Sequence, residues 1–539
     1  MLVTFASFGA HEAACGQTAP ATPASASGTL QIGTVTVKTQ PLFTEAEAAE
    51  GPIYRAFNAI HIPTPPKLVR SFLLFQEGEP YDPVKVAESE RNLRALEFLK
   101  TAKIITGAPR DGRLDITVET QDALTTEPDV EVNHSGGFTS YNLEVTQKNL
   151  FGRGTELVVG DSRSTERRTQ TVELSTPALF GPYWNADALY ARSTDGGERK
   201  FSLERPLFSL SNRWSFSFSG DQLKQDRRLF ELGRATSTFH QRHEEWKAEL
   251  ALSLGAPRER SLHRLLFGVD LLDDRFAAPA QETPPRVALP DQRHFHYVYV
   301  GYASIANDLV KLDYVNRDLR DEDFDLGRQF SARLGLALHS SINSIADRDG
   351  ATMMRLAGQQ GWRLGAESFL LSHLAYEARD ENGLLVNQVA SANLLFVRRL
   401  SQLWHQTLVA RADFSRGWRL DRDLQFIADG QSGLRAYPVN AYAGDKRLLF
   451  NVEDRFFLGR ELLQAFAPGA AIFFDCGGAQ PQRTPLTIAS LKSDVGAGLR
   501  LAIARVESFV LRLDAAYQLN RDPFGHRGWV LSIGTAQAF

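Results

Sequence analysis

From about residue 128 almost to the end of the chain, apolar and polar side chains alternate with a period of two. In "RWSFSFSG", Trp214, Phe216 and Phe218 alternate with Ser215, Ser217 and Ser219. In "FVLRLDAAY", Phe509, Leu511, Leu513 and Tyr517 share one face, with Arg512 and Asp514 on the other. "FSARLGLALH" and "NADALYARS" are weaker versions of the same pattern. An alternation held this long restricts the chain to half-buried antiparallel strands. A propeller would add a blade repeat of fixed length, and none is found. The connections are uneven: "FGRG" and "DGG" are tight, whereas 274–293 and 416–446 are long and charged. Short turns at one rim and long loops at the other are the habit of transmembrane β-barrels.

Bulk composition agrees once that pattern is known. Mean hydropathy is -0.25, a soluble-looking value, yet a barrel with a polar lumen keeps a modest average. No stretch approaches the roughly 18 uninterrupted apolar residues of a membrane helix. The nearest, "ELLQAFAPGAAIFF", is broken by Gln464 and Pro468. With 60 basic and 64 acidic residues, the net charge of -4 gives no support to nucleic-acid binding, which wants a basic stripe. Cys15 and Cys476 have no metal-like spacing and read as two unpaired thiols.

The chain divides into residues 1–28, 29–125 and 128–539. In the first, Leu2 to Ala10 is a short apolar run followed by small residues, as in a secretory signal, without its positively charged start. Glu12 fits poorly with a lipoprotein cleavage site at Cys15, so a truncated or misplaced signal is expected, followed by an Ala/Pro/Thr/Ser linker. Residues 29–125 read as a small α+β unit. "RAFNAIHIP" offers a strand, and "TPPKLVRSFLLF" a helix with Thr64 as N-cap and Pro65 in its first turn. Asp82-Pro83 starts a second helix, with Val84, Val86, Leu93, Leu96 and Phe98 near a helical repeat. Strands "AKIIT" and "RLDITVET" follow, joined by "APRDG".

Two segments stand out in the barrel region. The final strand, "WVLSIGTAQAF", puts Trp529, Leu531, Ile533 and Phe539 on one face and mostly small residues, Gly534 among them, on the other. An aromatic end residue is expected at a bilayer interface, with the last strand pairing to the first. Inside the long connection 416–446, "QSGLRAYPVN" places an apolar pair and a Tyr-Pro around Arg435. A solvated loop needs neither. A buried guanidinium needs carboxylates, and alternation supplies two. Asn451, Glu453 and Arg455 share one face of "FNVEDRFFL", and Phe473 and Asp475 share one face of "AIFFDCG".

These fragments, in this order, resemble the BamA/TamA-type outer-membrane assembly and translocation superfamily, the bacterial surface antigen family. Its members join POTRA domains to a transmembrane barrel. "LLFQEGEPYD" and "SERNLRALEFLKTAKI" are similar to one POTRA domain, and "NLFGRG", with Asn149, Gly152 and Gly154, to the turn after the second barrel strand. "GLRAYP", with Gly433, Leu434, Arg435 and Tyr437, resembles the family's loop motif. "NVEDRFF" and "FFDCGGA", with Glu453, Asp475 and Gly477, resemble the two strands after it, and the final strand the assembly signal. Ala436 and Gln537 depart from the family pattern, and one POTRA-like unit stands where relatives carry several.

The resemblance implies a barrel of about 16 strands. Five strand candidates follow the loop, but those before it number nearer fifteen than eleven; either long strands have been split or the barrel is wider. It also implies that the loop folds into the lumen and that Arg435 is latched to the acidic wall, with Glu453 and Asp475 as its partners. The expected function is insertion of outer-membrane proteins or translocation of polypeptides, from the bacterial outer membrane with the POTRA-like unit in the periplasm. Expected partners are outer-membrane lipids, unfolded or extended client polypeptides and periplasmic accessory proteins. The alternative is a passive porin-like channel.

Nothing in the chain suggests an enzyme, a cofactor or a metal site. "GQSGL" is not the nucleophile elbow. His240 with His243, and His294 with His296, lack accompanying Cys or paired acids and read as exposed or interfacial. Tyr297, Tyr299, Tyr302, Trp214 and Trp529 are expected in aromatic girdles.

Overall fold

The computed structural model describes residues 30–535, apart from 44, 50, 53–54, 56–57, 60, 136–137, 210–211, 256–260, 280–287, 307, 317–320, 344–350, 402–404, 461, 463–465 and 504–509. The signal-like segment, Cys15, Gln537 and Phe539 lie outside the described residues; Cys476 is a free thiol.

The N-terminal unit is a three-stranded sheet covered by helices. Strand Gln31–Gln40 pairs in parallel with Arg113–Asp122, which pairs antiparallel with Leu99–Thr106. Helices Pro66–Ser71 and Pro83–Arg94 close over it, burying Ile32, Val69, Phe72, Leu93, Phe98 and Ile116. Asp82 caps the longer helix, its Oδ1 accepting from Val84 N at 2.9 Å, with Pro83 in the first turn. Two expectations fail here. The described residues of "RAFNAIHIP" are not strand; the first strand is Gln31–Gln40. Its alternation is broken by a register shift between Ile32 and Val35, which hides it from a period-two search. Thr64 is not an N-cap, since Pro65 holds that position. Thr64 instead donates its N–H to Asp122 Oδ2 at 2.9 Å.

The rest of the chain forms a closed antiparallel barrel of twenty strands among the described residues, from Thr126–Ser135 to Trp529–Thr535. Fifteen precede the loop and five follow it, so the strand-by-strand count stands and the figure of about 16 is too low. Two short antiparallel pairs lie outside the ladder: Leu309–Asp313 with Asp321–Asp325, and Phe426–Ala428 with Tyr442–Gly444.

Alternation sorts each strand into two faces. On Lys446–Phe457, Leu449, Asn451, Glu453 and Arg455 are buried inward while Phe450 is exposed outward. Leu334, Leu374, Ile472, Leu499, Leu513 and Leu531 are all exposed on the outside. A continuous apolar exterior of this kind belongs in hydrocarbon. No helix among the described residues is long and apolar enough to cross a membrane; the crossing is made by strands.

Parity also corrects the aromatic assignments. Trp214, Tyr302 and Trp529 are exposed on the outer face. Tyr297 and Tyr299 are not girdle residues: they share the inward face with buried Arg293 and Phe295, and Tyr299 Oη donates to Glu249 Oε2 at 3.0 Å. Nor is the division between short and long rims clean. The rim away from the N-terminal unit carries tight turns at Leu232-Gly233 and Asn382-Gly383 as well as the long loop. The opposite rim carries the connection holding the Leu309–Asp325 hairpin.

Candidate functional site

The loop between Gln406–Trp418 and Lys446–Phe457 is shaped before it meets the wall. The ribbon Phe426–Ala428 with Tyr442–Gly444 brings its two ends together. Within it, the Asp429 carboxylate accepts from Gln431 N (3.0 Å), Ser432 N (2.9 Å) and Asn440 N (2.7 Å), fixing a compact turn. Gly433 takes φ +130°, a conformation that needs glycine, and its carbonyl accepts from Asn451 Nδ2 of the wall at 2.6 Å. Leu434 and Tyr437 are fully buried against Tyr442, Leu449 and Ala479. Ala436 does not adopt a positive φ, so its side chain costs no backbone strain here. Its carbonyl accepts from Gln518 Nε2 at 2.8 Å, and the Tyr437 hydroxyl donates to Ser493 O at 2.9 Å.

This places Arg435 against the inner wall. Its Nε and Nη2 donate to the two oxygens of Asp475 at 2.7 and 3.1 Å, a bidentate pair. Its Nη1 lies 3.4 Å from Glu453 Oε2 and 3.4 Å from Asp514 Oδ2. The guanidinium carbon sits 3.4 Å from the centre of the Phe473 ring. Arg500 ties the same acids together, with Nη2 on Glu453 Oε1 at 2.7 Å and Nη1 on Asp514 Oδ1 at 2.6 Å. Four carboxylates (Glu453, Asp475, Asp494, Asp514) thus face four guanidiniums (Arg435, Arg455, Arg500, Arg512) on adjoining strands and the loop. Arg500 escaped the sequence reading, and Asp514 was placed on the polar face of its strand without being named as a partner, although both share the inward parity of "GLRLAI" and "VLRLDAAY". Gly477, two residues beyond Asp475, is on the same strand, where an added Cβ would fall 2.5 Å from Leu448 O.

The loop has a second anchor that the sequence reading missed. Asp421 and Asp423, at its start, meet arginines from other walls. Arg293 Nη1 lies 2.7 Å from Asp421 Oδ2 and 2.8 Å from Asp423 Oδ1, while its Nη2 reaches Asp274 at 2.8 Å. Arg379 Nη2 lies 2.9 Å from Asp421 Oδ1. His243 is not an exposed histidine: its Nδ1 lies 2.7 Å from Asp274 Oδ1. The loop is therefore a crossbar, giving a cation to one side of the lumen and two anions to the other. The acidic start "LDRDL" was the available sign.

Asn149, Gly152 and Gly154 lie away from the latch, at the junction with the N-terminal unit. Asn149 Oδ1 accepts from Gly154 N at 2.8 Å, and its Nδ2 donates to Thr64 Oγ1 at 3.0 Å. Both glycines have φ +68°, and a Cβ on Gly154 would come within 2.6 Å of the Phe98 ring. Tyr183 extends this junction, stacking on Phe208 with centroids 3.7 Å apart and donating its hydroxyl to Phe72 O. Ser209 Oγ donates to Glu88 Oε2 at 2.6 Å.

At the closure, Trp529, Leu531 and Ile533 point outward. Trp529–Thr535 pairs with Val510–Gln518 at seven positions, but with Thr126–Ser135 at two, Ser532 with Asn133 and Ile533 with Val132, among the described residues. Gly534 lies just past that contact, and Phe539 is outside the described residues. On the outer face, the rings of His294, His296 and His339 gather with centroids 4.5 to 5.6 Å apart, without an arrangement among the described residues that would hold a metal ion.

No family model matches the chain, and no curated protein matches it. Among solved structures it is similar to BamA from Haemophilus ducreyi lacking POTRA domains 1–3 (12% identity, 94% of this chain and 85% of that chain, TM-score 0.39). It is also similar to CdiB from Escherichia coli (12%, 94% and 77%, TM-score 0.44) and to OccK5 from Pseudomonas aeruginosa (9%, 76% and 94%, TM-score 0.32). Identities and scores of this size carry no information about activity.

Proposed function

We propose that the chain is a bacterial outer-membrane protein that inserts other barrel proteins or translocates polypeptides, working at the seam between its first and last strands. The observation that carries this reading is the seam itself. The other neighbouring strands of the barrel pair at seven to eighteen positions, and this closure at two among the described residues. Where described residues of these two strands do not pair, backbone donors and acceptors are open for an incoming strand, which would add by β-augmentation. The Arg435 crossbar holds the inner face of the strands beside the seam, so that opening occurs at one place. It acts as a positioning device, and no chemistry is assigned to it.

The N-terminal unit, read as a single POTRA-like domain in the periplasm, offers edge strands Gln31–Gln40 and Leu99–Thr106 to extended clients. A passive channel is the weaker reading, because the Arg435 loop is folded into the lumen against the inner wall.

The test is reconstitution in lipid vesicles with an unfolded client barrel protein. Val132→Cys with Ile533→Cys, in a Cys15→Ser, Cys476→Ser background, closes the seam on oxidation. Client insertion should fall to the protein-free rate and return on reduction. Insertion at the full rate through an oxidised seam would reject the proposal.

A further inference from the structure

The outer wall changes character near the rim away from the N-terminal unit. Paired residues share a face, so the outward positions of Asn185–Ser193, Gly196–Arg205, Trp214–Glu231 and Arg234–Leu254 form rows across the wall. One row is Ala188, Phe201, Gly220 and Trp246. The next toward the rim is Tyr190, Arg199, Gln222 and Glu244, and beyond it comes Arg192, Gly197, Lys224 and Arg242.

The first of these rows marks the edge of the hydrocarbon. Trp246 lies across Gly220, where an added Cβ would fall 2.3 Å from the indole, and stacks on Phe218 with centroids 5.9 Å apart. Phe201 continues the shelf, 6.2 Å from Phe218. Trp246 Nε1 donates to Glu244 Oε1 at 3.0 Å, which turns the polar edge of the ring toward the rim, as suits an interfacial tryptophan. Below it the outward positions Ala248, Leu250, Leu252 and Leu254 are all apolar, and residues 246–254 are about as long as a strand needs to cross hydrocarbon.

Past that edge the charges do not balance. Arg192, Arg199, Lys224 and Arg242 are exposed on the outside, and Glu244 is the one carboxylate in the two rows. It is already engaged by Trp246, by Gln222 Nε2 at 3.2 Å and by Arg242 Nη2 at 3.7 Å. Among the described residues, Arg192, Arg199 and Lys224 form no ion pair with a carboxylate. Other outward cations of this rim do have acids. Arg168 Nη2 lies 2.8 Å from Asp161 Oδ2, Arg275 Nη2 lies 2.7 Å from Asp273 Oδ2, and His240 Nδ1 lies 3.1 Å from Asp226 Oδ1. The acids closest in sequence to the unpaired cations are turned elsewhere: Glu198 and Asp221 to Lys200 on the lumenal face, and Asp195 to Arg167. Gly197 holds the outward place between Arg192 and Lys224 without a side chain. A cleft of about 410 Å³ opens over it, with Tyr190, Arg199, Gln222, Lys224, Arg242 and Glu244 in its lining.

We propose that this cleft binds the phosphorylated sugar headgroup of an outer-leaflet glycolipid, with Arg199, Lys224 and Arg242 on a phosphate and the acyl chains against Phe201, Phe218 and Leu250. A phosphate supplies the negative charge that the rows lack, and guanidinium forks match its oxygens. Tyr190, with the Arg199 guanidinium 5.8 Å from its ring centre, offers the sugar an aromatic face and a hydroxyl. A free phosphate would leave the apolar shelf under the cleft unused, whereas an acylated one covers it. The site rests on the reading that puts the N-terminal unit in the periplasm and this rim at the outer leaflet; it makes no use of the seam.

The experiment titrates the full-length chain, purified in non-ionic detergent, with bisphosphorylated lipid A and counts bound lipid by native mass spectrometry. Heat-modified gel mobility checks that each barrel is closed. One lipid should bind per chain. Arg199→Gln with Lys224→Gln should weaken binding about 25-fold, at about fivefold per cation near a membrane surface. Arg168→Gln with Arg275→Gln removes the same charge from paired cations of the same rim and should leave binding unchanged. Lipid A stripped of its phosphates and phosphatidylglycerol should both bind weakly, and excess inorganic phosphate should not displace lipid A. Equal weakening by the two double variants, or none from the first, overturns the site. Phosphatidylglycerol binding as tightly as lipid A, or displacement by inorganic phosphate, overturns the glycolipid as its occupant. Orientation is read separately: Thr194→Cys, in a Cys15→Ser, Cys476→Ser background, should react with a membrane-impermeant maleimide on intact cells. An unlabelled cysteine refutes the orientation and with it the outer-leaflet occupant, whereas a labelled one with failed lipid binding refutes the cleft alone.

Discussion

Arg435→Ala is the perturbation with the clearest consequence. The substitution removes the bidentate bonds to Asp475 and the cation nearest Glu453 and Asp514, all three of which are fully buried. Taking one partner from a buried pair costs about 3–5 kcal/mol, because the remaining charge keeps its desolvation penalty. Arg500, bonded to both Glu453 and Asp514, stays in place, so Asp475 bears most of that cost. Opposing release are the burial of Leu434 and Tyr437, about 1.5–3 kcal/mol each, and the Asp421/Asp423 anchor at the far end. The crossbar should therefore loosen at its Arg435 end while staying attached at the other. Hydrogen exchange reads this directly at two amides: Leu434 N, which donates to Asp429 O, and Tyr437 N, which donates to Leu434 O, both at 2.8 Å. Their protection should fall by a factor of roughly 10² to 10³, at 1.4 kcal/mol per tenfold. Arg435→Lys keeps the charge but not the fork and should fall between the two. Adding Asp475→Ala to Arg435→Ala should restore part of the loss, a coupling of about 1–3 kcal/mol. Unchanged protection at both amides, or strictly additive effects, would refute the latch.

Asp421→Asn with Asp423→Asn should free the other end of the crossbar, raising protease access to residues 419–425 while Leu434 stays protected; equal loosening of both ends would mean that the loop moves as one piece. Gly154→Ala combines a disfavoured φ with a clash against Phe98, and should lower the melting temperature of the N-terminal unit, read by exchange of its Phe98 and Ile116 amides. Glu77 is held below the usual carboxylate range by the Val35 N–H and then by Arg70. Its contribution is present above the unfolded pKa and lost as pH falls through the lowered folded value. Protection of Val35 should therefore drop in acid, and Glu77→Gln should abolish that dependence.

Much of the architecture could be read from the chain because a barrel wall has one simple rule. Parity alone put Glu453 and Asp475 on the inward face, and the structure places both within reach of Arg435. The direct strand count came nearer fifteen than eleven before the loop, with five after it, while the family resemblance pulled the total toward 16. Where the reading failed, a third element had intervened. Tyr297 and Tyr299 look like girdle aromatics until parity with Arg293 is applied. Phe369, Val397 and Val409 break the polar-inward rule because a hairpin covers them, and nothing local to those strands announces that hairpin. The first strand of the N-terminal unit was missed because a register shift interrupts its alternation. Asp421 and Asp423 looked like ordinary loop charges, since the arginines they meet are over forty residues away in sequence or more.

The central claim is that clients are handled at the seam between residues 126–135 and 529–535. It is tested most directly by placing a photo-activated cross-linker at Ile533, and in a second variant at Leu334, another outward position whose residue pairs with both neighbouring strands. During insertion of a client barrel, adducts should form from Ile533 and be absent from Leu334. Equal labelling from both positions, or none from Ile533 while insertion proceeds, would contradict it.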